Sequence, residues 1–370
     1  MLPPPGCITC MSKRHRETRR PGNWFLYAER SVSSMPSGAI PRVSYRDVIA
    51  DDGSTIDVGV RRFGEALRDT GFVLLKDAPF RSDLLVRNYQ FMQKVFDLDT
   101  FVLERYSYPQ IGYQRGYMPY GVETGFYCDE PDQKLAFCFG SFHNVAVREV
   151  SGYLEAAEEF YHACRDLGYY LMKAIVEFLD PSNREWNKVS GWFRDPDGEP
   201  IDDSHMRHIR YPGDADLPAC EHFDINMLTL LPIATRSGLQ IKTHEGEWVD
   251  VDPKPGDLIV NAGDMLNFIS GGMIRSTLHR VINPTPSPHR DRFSMPFFYH
   301  PDHAKELRVL KSCADQPGAN RRFPYEKRLG YSLLYEILNG TGQIPDDVTR
   351  EDFIANYEHL RKYGLPASSR

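Results

Sequence analysis

The sequence predicts an α+β protein in which an antiparallel β sandwich or barrel is flanked by helices. Three observations support this fold class. Amphipathic helical patterns dominate the chain before residue 200, short apolar runs separated by turn signals fill residues 205–299, and a helical pattern returns over residues 323–340. The middle runs leave no room for helical crossovers between strands, which favours antiparallel pairing.

The first regular elements are a helix, a strand and a second helix. Asp57 can cap the first helix and Gly71 can end it. Residues 72–75 are typical of a buried strand, and Ser82 can cap the helix that follows. The longest helix is predicted over residues 152–179, where apolar side chains recur every three or four positions and form one stripe against the core.

Composition and charge exclude several classes of protein. The chain has 370 residues, 41% of them hydrophobic, and can bury a sizeable core. A net charge of −7 argues against a protein built to bind nucleic acid or an anionic membrane. The apolar runs fall far short of the roughly 20 residues that a membrane-spanning helix needs. Seven cysteines, an odd number spread along the chain, suit reduced thiols in a cytosolic enzyme better than a disulfide framework.

Residues 220–230 carry the main functional motif. On a strand, His222, Asp224 and Asn226 would share one face, because side chains alternate with a period of two. An imidazole beside a carboxylate can bind a divalent metal, and His279 on a later strand is the candidate third ligand. Two histidines and one carboxylate are typical of non-haem Fe(II), with open coordination positions left for other ligands. The three residues alone are equally compatible with a surface hydrogen-bonded pair and an unrelated histidine.

A second motif follows His279 after a short loop. Arg292 and Ser294 would share a strand face and could hold a carboxylate through a guanidinium and a hydroxyl. An isolated Arg-x-Ser has no diagnostic value. Its position after His-x-Asp and a distal histidine, on short strands and in that order, favours the metal site.

These motifs resemble those of the isopenicillin N synthase-like family of 2-oxoglutarate- and Fe(II)-dependent dioxygenases, and the resemblance covers most of the chain. The similar segments are RHIRYP, PGDLIVNAGD, STLHRV and RFSMPFF at residues 207–212, 255–264, 276–281 and 292–298. The resemblance implies a double-stranded β-helix, which is a distorted jelly roll, flanked by helices.

The resemblance also implies a role for each motif residue. The iron ligands would be His222, Asp224 and His279. The contacts to 2-oxoglutarate would come from Arg292, Ser294 and Tyr211. The substrate pocket would include Phe298 and Arg207, although Phe298 equally suits core packing and Arg207 could be a surface charge. No catalytic side chain is implied beyond the metal and cosubstrate ligands.

The implied activity is oxidation, in the main hydroxylation, of an unactivated C–H bond in a small organic metabolite, with succinate and CO2 as co-products. Fe(II), 2-oxoglutarate and O2 would be required, with ascorbate as a reductant. Two alternatives stay open: an oxidase without 2-oxoglutarate, since isopenicillin N synthase itself carries Arg-x-Ser, and a catalytically silent jelly roll that binds a small ligand. We also expect a cytoplasmic monomer or weak oligomer of secondary metabolism, with no nucleic-acid or membrane partner.

One enzyme of about 330 residues is expected behind an N-terminal extension. Its regions would be a helical and strand region at residues 41–200, a jelly-roll core at 201–305 and a C-terminal helical region at 306–370. Residues 1–40 are Pro-rich and then basic, without apolar periodicity, which predicts disorder. They are either an upstream extension, because Met11 and Met35 can both serve as starts, or an organellar targeting peptide. Cys7 and Cys10 form an isolated Cys-x-x-Cys, which is a weak metal or redox signal.

Overall fold

The computed structural model describes residues 40–125, 128–215, 217–287, 290–318 and 331–365. The described chain belongs to one compact unit. The predicted extension with Cys7 and Cys10 lies outside the described residues, as does the start of the predicted last helical pattern. The boundaries proposed for the three regions of the enzyme stay predictions.

Helices precede and follow the β-rich part of the chain, as predicted. The helices are α1 (Tyr45–Val48), α2 (Asp57–Thr70), α3 (Ser82–Phe96), α4 (Thr100–Glu104), α5 (Tyr153–Leu179), α6 (Trp186–Ser190), α7 (Asp264–Ile269), α8 (Tyr331–Gly340) and α9 (Arg350–Tyr363). The strands are β1 (Arg42–Ser44), β2 (Phe72–Lys76), β3 (Gly116–Met118), β4 (Leu135–Gly140), β5 (His205–Tyr211), β6 (Ala219–His222), β7 (Leu228–Pro232), β8 (Leu239–Lys242), β9 (Trp248–Asp250), β10 (Leu258–Ala262), β11 (His279–Val281), β12 (Arg292–Ser294) and β13 (Phe297–Tyr299).

The described strands form two sheets. The larger sheet has the order β1-β2-β10-β7-β13-β5-β4-β3, and β12 also pairs with β5. The smaller sheet has the order β6-β11-β8-β9. Neighbouring strands are antiparallel throughout, apart from the parallel pair of β1 and β2. The fold is a jelly roll with flanking helices, which confirms the predicted class.

Helix α5 supports the larger sheet from outside the cavity. Its buried stripe includes Phe160, Leu171 and Ile175, and it packs against β4, β7 and β13. Burying each such side chain contributes about 1.5–3 kcal/mol, so the stripe makes a substantial contribution to the stability of the fold. The helix begins one residue after the predicted Gly152.

The end of α2 shows why a glycine is needed there. Gly71 has φ +71°, the left-handed conformation that ends a helix. A Cβ atom at this position would lie 2.3 Å from the Thr277 hydroxyl. The predicted stop is therefore set both by the backbone conformation and by the close approach of the segment that leads into β11.

A disulfide joins Cys128 to Cys220, across 92 positions of the sequence. The expectation of reduced thiols is therefore wrong for this pair, because the fold brings the two Cα atoms to 6.3 Å, well within the range that a disulfide spans. Cys138, Cys164 and Cys313 are free and buried, as structural thiols usually are. Of the helices in the described ranges, none is long and apolar enough to cross a membrane.

Candidate metal centre and active site

Two adjacent strands of the smaller sheet present the two histidines of the motif. His222 on β6 and His279 on β11 are directly paired in the strand register. The Nδ1 atom of each ring faces the backbone carbonyl two residues earlier, at 2.7 Å from Cys220 and 3.0 Å from Thr277. Because a carbonyl only accepts, each Nδ1 carries the proton and each Nε2 keeps its lone pair for a metal.

Asp224 completes the set, but not by the predicted strand geometry. Strand β6 ends at His222, so Asp224 and Asn226 lie in the connection that follows rather than on one continuous strand face. The Oδ2 atom of Asp224 accepts hydrogen bonds from the Thr229 hydroxyl and from the Asn261 amide, the latter at 2.7 Å. Its Oδ1 atom lies 3.9 Å from His222 Nε2 and 3.7 Å from His279 Nε2.

The three ligand atoms fit a single metal ion. Two ligands at about 2.0–2.2 Å from one ion can be separated by no more than about 4.4 Å, and the carboxylate–imidazole distances are shorter than this. Within the described ranges, this is the one group of three or more His, Cys, Asp or Glu side chains with metal-binding spacing. His205, His208, His300 and His303 are not part of it.

The protonation states also suit metal binding. Burial lowers the pKa of His279 to about 4, so its imidazole is neutral at physiological pH. Burial acts to raise the pKa of Asp224, but the neighbouring His279 and His222 rings and its two hydrogen bonds outweigh this, and the pKa lies below its usual value. Neutral imidazole and ionised carboxylate are the forms that ligate a divalent ion. We call these three side chains, with Thr229 and Asn261, the metal end.

Arg292 lies in the same cavity with an uncommitted nitrogen. It pairs with Tyr211 across β12 and β5, and its guanidinium lies 5.0 Å from the Tyr211 ring centroid. Its Nε donates to the backbone carbonyl of Arg236 at 3.1 Å, but its buried Nη1 has no hydrogen-bond partner among the described residues. Ser294 is on the same face of β12 and is buried. A buried guanidinium N–H without an acceptor fits the carboxylate of a bound 2-oxoglutarate.

One cavity of about 230 Å³ contains all these groups. Phe298 and Arg207, the predicted pocket residues, line the same cavity. Phe298 is half-buried at the cavity wall rather than in the core, and the Arg207 side chain is only 12% exposed. The structure therefore brings every sequence-predicted site residue to one cavity.

The wall away from the metal end is built around Arg207. Its Nη1 atom lies 2.9 Å from the Glu123 carboxylate, which also lies 2.7 Å from Lys134 Nζ. Lys134 contacts Asp132 as well, at 2.6 Å. Burial acts to raise the pKa of Glu123, but Arg207 and Lys134 outweigh it and hold that pKa well below its usual range. Two cationic side chains and two carboxylates thus lie together in this wall, and their formal charges cancel.

Two further contacts complete this wall. Gln343 lies between α8 and α9. Its Oε1 atom accepts a hydrogen bond from Arg207 Nη2 at 3.3 Å, and its Nε2 atom donates one to Glu123 at 3.3 Å. His205 receives the Arg207 Nε–H at its Nε2 atom, at 3.1 Å. We call Glu123, Lys134, His205, Arg207 and Gln343 the distal wall.

The sequence reasoning missed most of the distal wall. Glu123, Lys134 and Gln343 lie outside the sequence motifs named above. The acidic pair Asp202 and Asp203 is also buried, with 3% and 6% exposed. The Asp203 carboxylate lies 2.6 Å from His303 Nδ1, and the alternation of polar and apolar residues gives no sign of this contact.

Comparisons with known proteins agree with this architecture. The profile of the 2OG-Fe(II) oxygenase superfamily matches residues 202–301. Homoarginine-6-hydroxylase 2-ODD-C23.2 of Arabidopsis thaliana is 28% identical over 312 residues, which cover 78% of this chain and 83% of the relative. A full-length Neurospora crassa protein, solved in complex with α-ketoglutarate, has a similar structure, with a TM-score of 0.65 at 23% identity, covering 80% of this chain and 95% of that one. A Caulobacter crescentus protein of the 2OG-Fe(II) oxygenase family gives a TM-score of 0.65 at 26% identity, covering 77% and 95%.

A jelly roll with two histidines and one carboxylate facing its cavity is the arrangement of a non-haem iron oxygenase. Over its jelly-roll core this chain matches the 2OG-Fe(II) oxygenase superfamily, and it is a dioxygenase that uses Fe(II), 2-oxoglutarate and O2. When bound, the iron and its cosubstrate supply the oxidant for a C–H bond, with one oxygen atom of O2 going to succinate and CO2 leaving. The protein orients these groups, keeps water from them and selects the substrate.

Proposed function

We propose that this enzyme hydroxylates an unactivated C–H bond of a small organic metabolite. In this proposal His222, Asp224 and His279 hold the iron. The free Nη1 of Arg292 supports the cosubstrate assignment best, because it is a buried donor in need of an acceptor, in the same cavity as the three ligand atoms. Ser294 and Tyr211, which flank Arg292, would complete the contacts to the distal carboxylate of 2-oxoglutarate.

Phe298 and Arg207 would bound the space for the prime substrate. They lie on paired strands, since Phe298 on β13 is opposite His205 on β5 and Arg207 is two residues further along β5. Substrate would then lie between the metal end and the distal wall. A cytoplasmic location, a monomeric or weakly oligomeric state and a role in secondary metabolism stay predictions from the sequence.

The test is anaerobic titration of the Fe(II)-loaded protein with 2-oxoglutarate. A metal-to-ligand charge-transfer absorbance should appear, because the keto acid chelates iron through two oxygens in the proposed site. The variant R292L should require at least about 10-fold more 2-oxoglutarate, since it loses a charge-assisted hydrogen-bond donor.

The matched control is R280L. Arg280 neighbours His279 on β11, but its guanidinium lies 4.1 Å from the Trp248 ring centroid and does not line the cavity. It should titrate like the wild type. If iron is bound and no absorbance band develops, the cosubstrate assignment is wrong and the oxidase that works without 2-oxoglutarate becomes the better explanation.

A further inference from the structure

The formal charges of the side chains that line the cavity sum to zero. Among the described residues that line it, three side chains are cationic and three are anionic. The cations are Lys134, Arg207 and Arg292, and the anions are Glu123, Asp132 and Asp224. Fe(II) and the 2-oxoglutarate dianion carry equal and opposite charges, so loading the site leaves this balance unchanged.

Each of these charged side chains already has a partner of opposite charge. Glu123 and Asp132 contact Lys134, and Glu123 also contacts Arg207. Asp224 faces the metal and Arg292 faces the cosubstrate in the proposed function. A cationic substrate would find no spare carboxylate, and an anionic one no spare cation, among the described residues that line the cavity, so either would lose its hydration without compensation.

The histidines of the cavity add no free charge. Burial lowers the pKa of His205 well below its usual value, and it lowers that of His300 to about 3. His303 Nδ1 lies 2.6 Å from the Asp203 carboxylate, so this carboxylate would balance any charge on the ring. The space left for the substrate therefore offers it no free charge.

His205 offers one specific contact in this space. Its Nε2 atom accepts from Arg207, so in the neutral ring Nδ1 must carry the proton. That Nδ1 is buried and has no hydrogen-bond partner in the described part of the chain. The side chain is 8% exposed and lines the cavity. A buried N–H of this kind requires an acceptor, which a ligand or a water molecule in the cavity can supply.

Phe298 provides a flat surface beside this donor. Its ring is nearly parallel to that of His205, with 22° between the planes and 6.3 Å between the centroids. The Arg207 guanidinium carbon lies 5.9 Å from the same Phe298 ring. Planar groups thus lie together on one side of the cavity, and an aromatic ring can stack on Phe298 in an offset arrangement.

We propose that the substrate is an uncharged, planar molecule, an aromatic or heteroaromatic amide or ketone, that stacks on Phe298 and accepts a hydrogen bond from His205 Nδ1. This substrate class deepens the proposed function and rests on it. It differs from a charged amino acid such as the one named for the Arabidopsis relative, whose groups would need a free carboxylate or cation.

The test compares benzamide, benzoate and benzamidinium, which have the same size and shape but are neutral, anionic and cationic. Each is titrated calorimetrically into anaerobic protein loaded with Fe(II) and saturating 2-oxoglutarate, which keeps benzoate from the Arg292 end. Benzamide should bind at least about 10-fold more tightly than either ion. It should also shift the charge-transfer band, which places it beside the metal.

Two variants separate the hydrogen bond from general damage to the wall. H205F keeps a planar ring but removes the hydrogen-bond donor, so the affinity for benzamide should fall about 5–10-fold. The affinity for ethylbenzene, which has no hydrogen-bond acceptor, should not change. H205Q can accept from Arg207 and still donate, so it should retain most of the benzamide affinity. H162Q, at an exposed position on α5, is the matched control and should behave as the wild type.

The outcomes are distinguishable. If the charge-transfer band forms but benzoate or benzamidinium binds more tightly, or benzamide does not bind up to its solubility limit, the substrate class is wrong and the proposed function stands. If H205F lowers the affinity for benzamide and for ethylbenzene by the same factor, the proposed hydrogen bond from His205 is wrong. Absence of the band overturns both proposals together.

Discussion

The metal end and the distal wall face the same cavity but are built in different ways. The metal end takes its histidines from two paired strands, and each ring is fixed by a carbonyl two residues away. The distal wall joins four separate segments of the chain through ion pairs and hydrogen bonds. Sheet hydrogen bonding thus fixes the reactive groups independently of the charges that shape the substrate space. The metal end should tolerate changes in the distal wall, and the predictions below test that independence.

The largest effect is expected from D224A. It removes the carboxylate that faces both Nε2 atoms, so iron-dependent succinate formation should fall by about 100-fold or more, beyond the loss typical of an outer-shell change. Iron content and succinate should fall together, whereas D252A, in an exposed loop, should change neither. Turnover that survives D224A would show that the metal end has been misassigned.

A smaller effect is expected on stability from E123Q. It leaves Arg207 and Lys134 buried without their shared anion, which should lower the free energy of unfolding by about 3–5 kcal/mol. Iron binding should be unchanged if the two regions are independent. The matched control is E159Q, which removes an exposed ion pair with Arg87 and should lower the free energy of unfolding by less than about 1 kcal/mol.

The stability contributed by Glu123 should depend on pH in a definite direction. The folded pKa of Glu123 is depressed, so its stabilisation is fully present above the unfolded value of about 4.3 and is lost as the pH falls through the folded pKa. The stability difference between wild type and E123Q should therefore be constant near neutral pH and shrink below about pH 4. Urea unfolding at several pH values measures it. A difference that grows in acid would contradict the ion-pair explanation.

The smallest effect is expected from T229V. It removes the hydroxyl that donates to Asp224 Oδ2 but keeps the shape of the side chain, and iron affinity should fall about 10-fold. Competition with a chelator measures the affinity. The control T285V changes an exposed hydroxyl in the loop that follows β11 and should have no effect. Equal affinities in T229V and wild type would mean that Asn261 alone orients the carboxylate.

The same contrast explains what the sequence could predict. His222 and Asp224 are two positions apart, and a metal needs ligands close together, so local spacing was enough to find them. Their geometry was predicted for the wrong reason, since β6 stops at His222. Glu123 and Gln343 are 220 positions apart, and a buried polar contact between such distant residues leaves no periodic signal along the chain. Arg207 was identified only through resemblance to a family, and nothing near Asp203 in the sequence points to its partner, His303, which is 100 positions away.

Because of the disulfide between Cys128 and Cys220, the protein can exist in an oxidised and a reduced form. Oxidised and reduced chains differ by two electrons and two protons, and the covalent ring between the cysteines restricts the unfolded chain by an amount worth about 2–5 kcal/mol in stability. Cys220 is also the residue whose carbonyl orients His222. Thiol reductants in an assay can open this disulfide by exchange, and kinetic constants measured with and without them therefore describe different molecules.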